Sequence, residues 1–99
     1  TDYDAAIRLD SRVADTFHNR GNAWQSKGDY DRAIADYGVS IGLNPLAAVS
    51  FHNRGNARLR KGDHELAITD YNEAIRLVPQ YASAFNNRGN AWHRMGEYA

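Results

Sequence analysis

The same short strings return along the chain at a fixed step, and that periodicity restricts it to architectures built by stacking one small unit on the next. The string Phe-His-Asn-Arg-Gly-Asn-Ala-Trp starts at Phe17, and near-copies start one step later at Phe51 and two steps later at Phe85. A second string, Asp-Tyr-Asp-Arg-Ala-Ile-Ala-Asp-Tyr from Asp29, returns one step later from Asp63 as Asp-His-Glu-Leu-Ala-Ile-Thr-Asp-Tyr. Its tail opens the chain as Thr-Asp-Tyr-Asp-Ala-Ala-Ile-Arg-Leu. The phase gives two full units, 14–47 and 48–81, between the last positions of an earlier unit (1–13) and the first positions of a later one (82–99).

Each unit reads as two helices. Phe17, Gly21 and Trp24 follow the i, i+4, i+7 spacing of one helix face, which predicts a first helix from about Asp15 to Lys27. Gly28 is suited to the left-handed conformation that closes a helix, and Asp29 is a good N-cap for the next. Gly62-Asp63 repeats this turn and Gly96-Glu97 approximates it. Second helices should stop at Asn44-Pro45 and Val78-Pro79, since proline disfavours helix in the residue before it. Gly21, Gly55 and Gly89 recur inside first helices, where glycine costs about 1 kcal/mol relative to alanine. A recurring cost of that kind predicts close helix–helix contact, with Ala33 and Ala67 as the small partners and Tyr37 and Tyr71 filling the space nearby.

Composition narrows the function. Twelve Lys and Arg balance twelve Asp and Glu, so the basic face that nucleic-acid binding and anionic membrane surfaces require is not expected. Cysteine is absent, which excludes disulfides and thiolate metal sites. No apolar run approaches the roughly 18–20 residues that span a bilayer. His18, His52, His64 and His93 have no carboxylate at metal-ligand spacing, so no metal or other cofactor is expected. Serines are scattered, carboxylates fall on caps and outer faces, and Arg-Gly-Asn-Ala lacks the lysine of a phosphate loop; no catalytic residue and no enzymatic activity are expected. The start at Thr1 and the lack of terminal caps suggest part of a longer array, cytoplasmic unless a signal precedes it.

The pattern resembles the tetratricopeptide repeat (TPR) family across the whole chain. The first unit carries it at Phe17, Gly21, Trp24, Gly28, Tyr30, Ala33, Tyr37 and Pro45. The second carries Phe51, Gly55, Gly62, Ala67, Tyr71, Ala74 and Pro79, and the third Phe85, Gly89, Trp92, Gly96 and Tyr98. The resemblance implies an all-α, right-handed superhelical solenoid of antiparallel helix pairs, here about six helices. It also implies a concave face lined by first helices and a protein or peptide as partner. Arg58 and His64 depart from expected aromatics, so looser packing is anticipated in the second unit, and Ser11 stands where proline is usual. Arginines Arg20, Arg54 and Arg88 replace a common leucine. They are expected to pair between units, Asp2 with Arg20, Asp36 with Arg54 and Asp70 with Arg88.

A polar stripe runs beside the apolar one: His18, Asn22 and Gln25; His52, Asn56 and Leu59; Asn86, Asn90 and His93. Amides offer both a donor and an acceptor, so this ladder suits the backbone of an extended peptide. Asn22, Asn56 and Asn90 are assigned to the ligand, while Asn19, Asn53 and Asn87 are expected mainly to tie adjacent helices. One subclass of the family clamps the terminal carboxylate of chaperone tails with lysines, an arginine and asparagines. Asn22 and Asn53 match that pattern, which adds Asn53 to the candidate site. His18 and Ser83 occupy the lysine places and Asn87 the arginine place, so tight binding of acidic C-terminal chaperone peptides is not expected. Head-to-tail self-association, each copy completing another's half-unit, is the alternative function.

Overall fold

A computed structural model describes the backbone of residues 2–98 and the side chains of residues 11–96. Five helices make up the described chain: α1 (Asp2–Ser26), α2 (Tyr30–Leu43), α3 (Ala48–Lys61), α4 (His64–Leu77) and α5 (Ala82–Tyr98). No strand occurs among the described residues. Consecutive helices pack as antiparallel neighbours.

The turns form where glycine permits them. Gly28 and Gly62 take φ of 81° and 96°, and no other described residue has positive φ. The Gly62 and Asp63 amides donate back to the last carbonyls of α3, those of Leu59 and Arg58. Asp29 caps α2 by accepting from the Arg32 amide at 3.1 Å. Asp63 makes no such cap bond and instead lies 3.9 Å from Lys61 Nζ. The helices before Pro45 and Pro79 end at Leu43 and Leu77, with Asn44 and Val78 as C-caps.

Two breaks suggested by the repeat phase do not occur. The phase gives the segment 1–13 a helix of its own, yet α1 runs unbroken from Asp2 to Ser26, so the described helices number five. No Gly or Pro lies between Asp2 and Gly21, and Ser11 cannot stop a helix as Pro45 and Pro79 do. Likewise α5 continues through Gly96. Glu97 is not among the good N-caps, so nothing there favours starting a new helix.

The core is distributed along the stack. One apolar cluster joins Ala33, Tyr37 and Ala57 with Trp24, Tyr30 and Ile34. The other joins Leu59, Ala67, Tyr71, Ala74, Ala84 and Ala91 with Phe51, Ile68, Ile75 and Tyr81. The second unit closes a buried cluster with α5 although Arg58 and His64 stand in place of aromatics. The recurrent glycines do mark close contacts. An ideal Cβ on Gly21 or Gly55 would lie 2.8 Å from a ring carbon of Tyr37 or Tyr71. Both tyrosines are fully buried.

Among the described helices α1 touches α3 and α3 touches α5, whereas α2 and α4 do not meet. First helices are therefore closer together than second helices, and the stack curves with α1, α3 and α5 on the inside.

Candidate functional site

The inner wall is built from hydrogen-bonded joints that recur at the repeat period. At the first joint, Asn53 Nδ2 reaches Asn22 Oδ1 at 3.2 Å and His18 Nε2 at 3.5 Å. At the second, Asn87 Nδ2 reaches Asn56 Oδ1 and His52 Nε2, each at 2.9 Å. The tyrosines that fill the glycine notches end at the same amides. Tyr37 donates to Asn22 Oδ1 at 2.5 Å and stands 2.9 Å from Gln25 Oε1; Tyr71 donates to Asn56 Oδ1 at 2.7 Å. Notch, tyrosine and amide thus form one device, which explains why Gly, Tyr and Asn all recur with the same period.

The network fixes the histidine tautomers. Nε2 of His52 accepts from Asn87, so Nδ1 carries the proton and faces the Tyr81 hydroxyl at 3.3 Å. His18 uses Nδ1 toward Ser50 Oγ at 2.8 Å, and Ser40 Oγ follows at 3.3 Å. Burial lowers the pKa of both histidines, opposed for His18 by Asp15 and for His52 by a hydrogen bond to Asn53. Burial likewise pushes the Tyr37 hydroxyl up to about 12 and raises that of Tyr71. The His18–Ser50 pair has the spacing of a base and a nucleophile, but Ser50 is buried and the far ring nitrogen meets an amide rather than a carboxylate.

The ten sequence-derived candidates divide by exposure. Asn86, Asn90 and His93 are exposed on α5. His18, Asn22, Gln25, Asn53 and Asn56 are half-buried. His52 and Leu59 are each only 9% exposed; His52 is consumed by the second joint and Leu59 by the core cluster. Gln25, Asn56, Leu59 and Asn90 nonetheless line a common hollow of about 390 Å³ with Arg60, Asn87 and Arg94. His18 lines a separate hollow of about 380 Å³ at the other end of the first helices, beside Ala14, Leu46, Val49 and Val78. Sequence reasoning missed Arg60 and Arg94. The signal was present, since they too are one repeat apart, but in a position where the first unit has Ser26.

The arginine–aspartate pairs exist within units, not between them. Arg20 donates to Asp36 through Nε at 2.6 Å and Nη2 at 2.8 Å. Arg54 repeats the fork on Asp70 at 3.0 and 2.8 Å, and Arg58 adds a third bond at 2.9 Å. The expected Asp36–Arg54 and Asp70–Arg88 pairs are therefore corrected: each aspartate faces back to the first helix of its own hairpin. The expected Asp2–Arg20 pair involves a side chain outside the described residues. Asp36 is held below the usual carboxylate range, first by the Arg20 hydrogen bonds and against the opposing effect of burial. Arg58 stands where the first unit has Trp24, and its bond to Asp70 is how the second unit accommodates a charged residue there.

No helix among the described residues is long and apolar enough to cross a membrane, and no cluster of metal-ligating side chains occurs among them.

Comparison with known proteins gives the same architecture. A tetratricopeptide repeat model matches residues 14–45 and a TPR repeat model matches residues 55–96. A search of curated proteins finds no match. Among solved structures, the second TPR of Spaghetti (RPAP3) bound to the HSP90 peptide SRMEEVD superposes with a TM-score of 0.88 at 32% identity, covering 94% of this chain and 85% of that one. The second TPR domain of human RPAP3 in complex with the HSP70 peptide SGPTIEEVD gives 0.81 at 31% identity, covering 92% and 73%. The TPR2B domain of yeast Sti1, in its pHsp70 complex, gives 0.85 at 27% identity, covering 89% and 70%. Period, glycine–tyrosine notches, stacked hairpins and these similarities together make the chain a member of the tetratricopeptide repeat family.

Proposed function

We propose that the concave face of α1, α3 and α5 holds an extended segment of a partner protein, with Gln25, Asn56 and Asn90 as its central hydrogen-bonding wall. The chain is a protein-interaction scaffold of a non-enzymatic family. The observation that carries the finer reading is the inner wall's hydrogen-bond accounting. Tyr37 and Tyr71 occupy the carbonyl oxygens of Asn22 and Asn56. Their amide NH₂ groups are left turned to the task of donating, which suits the carbonyls of an extended backbone. Asn86, Asn90 and His93 extend the wall along α5, and His18, Asn22 and Asn53 extend it along α1 and α3. The neighbours solved with HSP90 and HSP70 peptides support a peptide-sized guest.

The test is selection of a displayed random peptide library on the chain, followed by fluorescence polarisation of the selected peptides against Asn86→Ala/Asn90→Ala. These two residues are exposed, so their loss spares the joints. Affinity should fall about fivefold per lost hydrogen bond. Undiminished binding by that variant moves the guest off this wall.

Self-association is a second reading, and α5 favours it. Arg88 Nε is buried without a hydrogen-bond partner among the described residues, whereas its counterparts on Arg20 and Arg54 bond aspartates. Nothing lies within 4 Å of a Cβ on Gly89, where Gly21 and Gly55 each meet a tyrosine. Phe85 and Trp92 flank Arg88 and are 43% and 52% exposed. This face suits a helix presenting an Asp-Tyr pair, a pair the sequence also carries at Asp2-Tyr3. Light scattering over a concentration series should then show growth that Arg88→Glu abolishes; a strict monomer at high concentration removes this reading.

A further inference from the structure

The balanced charge of the whole chain conceals a segregated one. α3 carries Arg54, Arg58, Arg60 and Lys61 and no acidic residue. Arg54 and Arg58 share the single carboxylate of Asp70, and Lys61 pairs with Asp31 at 2.7 Å. Arg60 forms no ion pair among the described residues, and neither does Arg94 one repeat later. Both line the central hollow with Gln25, Asn56, Asn87 and Asn90, and no carboxylate among the described residues lines it. Gln25 and Arg60 also line an adjoining hollow of about 440 Å³, together with Ser26, Lys27, Gly28 and Tyr30, again without a carboxylate among the described residues. The acids of the nearby turns are engaged elsewhere: Asp29 with Arg32 at 3.5 Å, Asp31 and Asp63 with Lys61.

We infer that this trough is a subsite for an acidic side chain within the bound segment, received between Arg60 and Arg94 and backed by amide donors. The inference rests on the groove reading above and specifies the chemistry of its guest. Two guanidinium groups, which carry no acceptor, converge there with the Asn56 amide, whose oxygen already accepts from Tyr71 and Asn87, so the site is matched to a group that accepts. A carboxylate does so with charge, while a backbone carbonyl or a glutamine does so without it. His18 and Ser83, at the lysine places of the terminal-carboxylate clamp, do not line the trough, and its charge comes from two arginines outside that pattern. The subsite therefore needs no chain terminus in its guest.

The experiment uses acetylated, amidated ten-residue peptide libraries carrying one central glutamate, beside identical libraries with glutamine. Binding is read by fluorescence polarisation and by the shifts of the arginine Nε–Hε resonances. The glutamate library should bind about tenfold more tightly in low salt, as two partly exposed charge pairs allow, and its advantage should shrink as salt rises. It should shift Arg60 and Arg94. The double variant Arg60→Gln/Arg94→Gln should lose the preference while still binding the glutamine library. Equal binding of both libraries by the wild type overturns the subsite and leaves the groove standing. Gain only when the peptide carries a free C-terminal carboxylate also overturns it. Failure of both libraries to bind anywhere on α1, α3 and α5 overturns the groove itself. If the arginines serve only to stabilise the end of α3 and α5, the double variant lowers the melting temperature and leaves the glutamate preference intact, which overturns the subsite.

Discussion

Alanine at Gly55 and alanine at Gly89 should have opposite effects, although both glycines sit in the same local sequence, Arg-Gly-Asn-Ala. Both replacements gain about 1 kcal/mol of helix propensity. At Gly89 nothing lies within 4 Å of the new Cβ, so the gain is realised in full. At Gly55 the Cβ lies 2.8 Å from Tyr71 Cε1 and 3.0 Å from Cδ1. The ring cannot slide aside easily, because it is fully buried and its hydroxyl is held at 2.7 Å by Asn56. Overpacking costs about 1–3 kcal/mol, and displacing the ring sacrifices a hydrogen bond of about 1 kcal/mol. Gly55→Ala should therefore lose about 1–3 kcal/mol net, while Gly89→Ala gains about 1 kcal/mol. The two variants should differ by roughly 2–4 kcal/mol, which for a domain of this size separates their melting temperatures by about 10 °C or more. Urea and thermal unfolding followed by far-ultraviolet circular dichroism measure both. If Gly55→Ala is as stable as the wild type, or Gly89→Ala is less stable, the notch reading of the repeated glycine is wrong.

The other predictions concern charge, pH and ligand. Asp70 accepts three hydrogen bonds from two largely buried arginines, so Asp70→Asn should cost about 3 kcal/mol. Asp36→Asn should cost only about 1 kcal/mol, because Arg20 is 58% exposed, and equal losses in urea unfolding would contradict that ranking. Burial lowers the pKa of His18 and His52 in the folded chain, so the unfolded chain takes up protons first as pH falls below its ordinary value near 6.5. Stability should thus be level above about pH 7 and decline from about 6.5 downward; a melting temperature that rises on acidification to about pH 5.5 refutes the neutral joints. Because His18, Ser83 and Asn87 take the places of clamp cations, calorimetry with the peptide SRMEEVD should show no micromolar binding. Its amidated form should bind no more weakly than its free-carboxylate form.

The sequence made the units readable because each boundary had a local cause. Gly28 and Gly62 adopt the positive φ that glycine permits, and Pro45 and Pro79 end the helices before them. What it could not reveal was which of two equivalent partners a side chain would meet. Arg20 stands before Asp36 and Arg54 before Asp70, while Asp36 and Asp70 stand at nearly the same interval before Arg54 and Arg88. Both intervals recur with the period, so periodicity is blind to the choice. The rotation of the second helix about its axis decides it, and turns Asp36 and Asp70 back to their own hairpins. The unbroken α1 shows the opposite failing. Ser11 was a legible lack of a stop signal, but the phase of the repeat argued for a boundary there. In the site, the stripe of amides was legible as a stripe. Its division into residues consumed by tyrosines and histidines and residues left exposed was not, because burial of His52 and Leu59 depends on how closely α5 seats against α3.

The most direct measurement is chemical-shift mapping of the isotope-labelled chain with a library-selected peptide, following the side-chain NH₂ resonances of asparagine and glutamine. Gln25, Asn56, Asn86 and Asn90 should shift together and saturably, with the amides of Asp31, Leu66 and Asn72 on α2 and α4 unmoved. Shifts gathered on α2 and α4, with those four side chains silent, would place the partner on the outer layer and contradict the account.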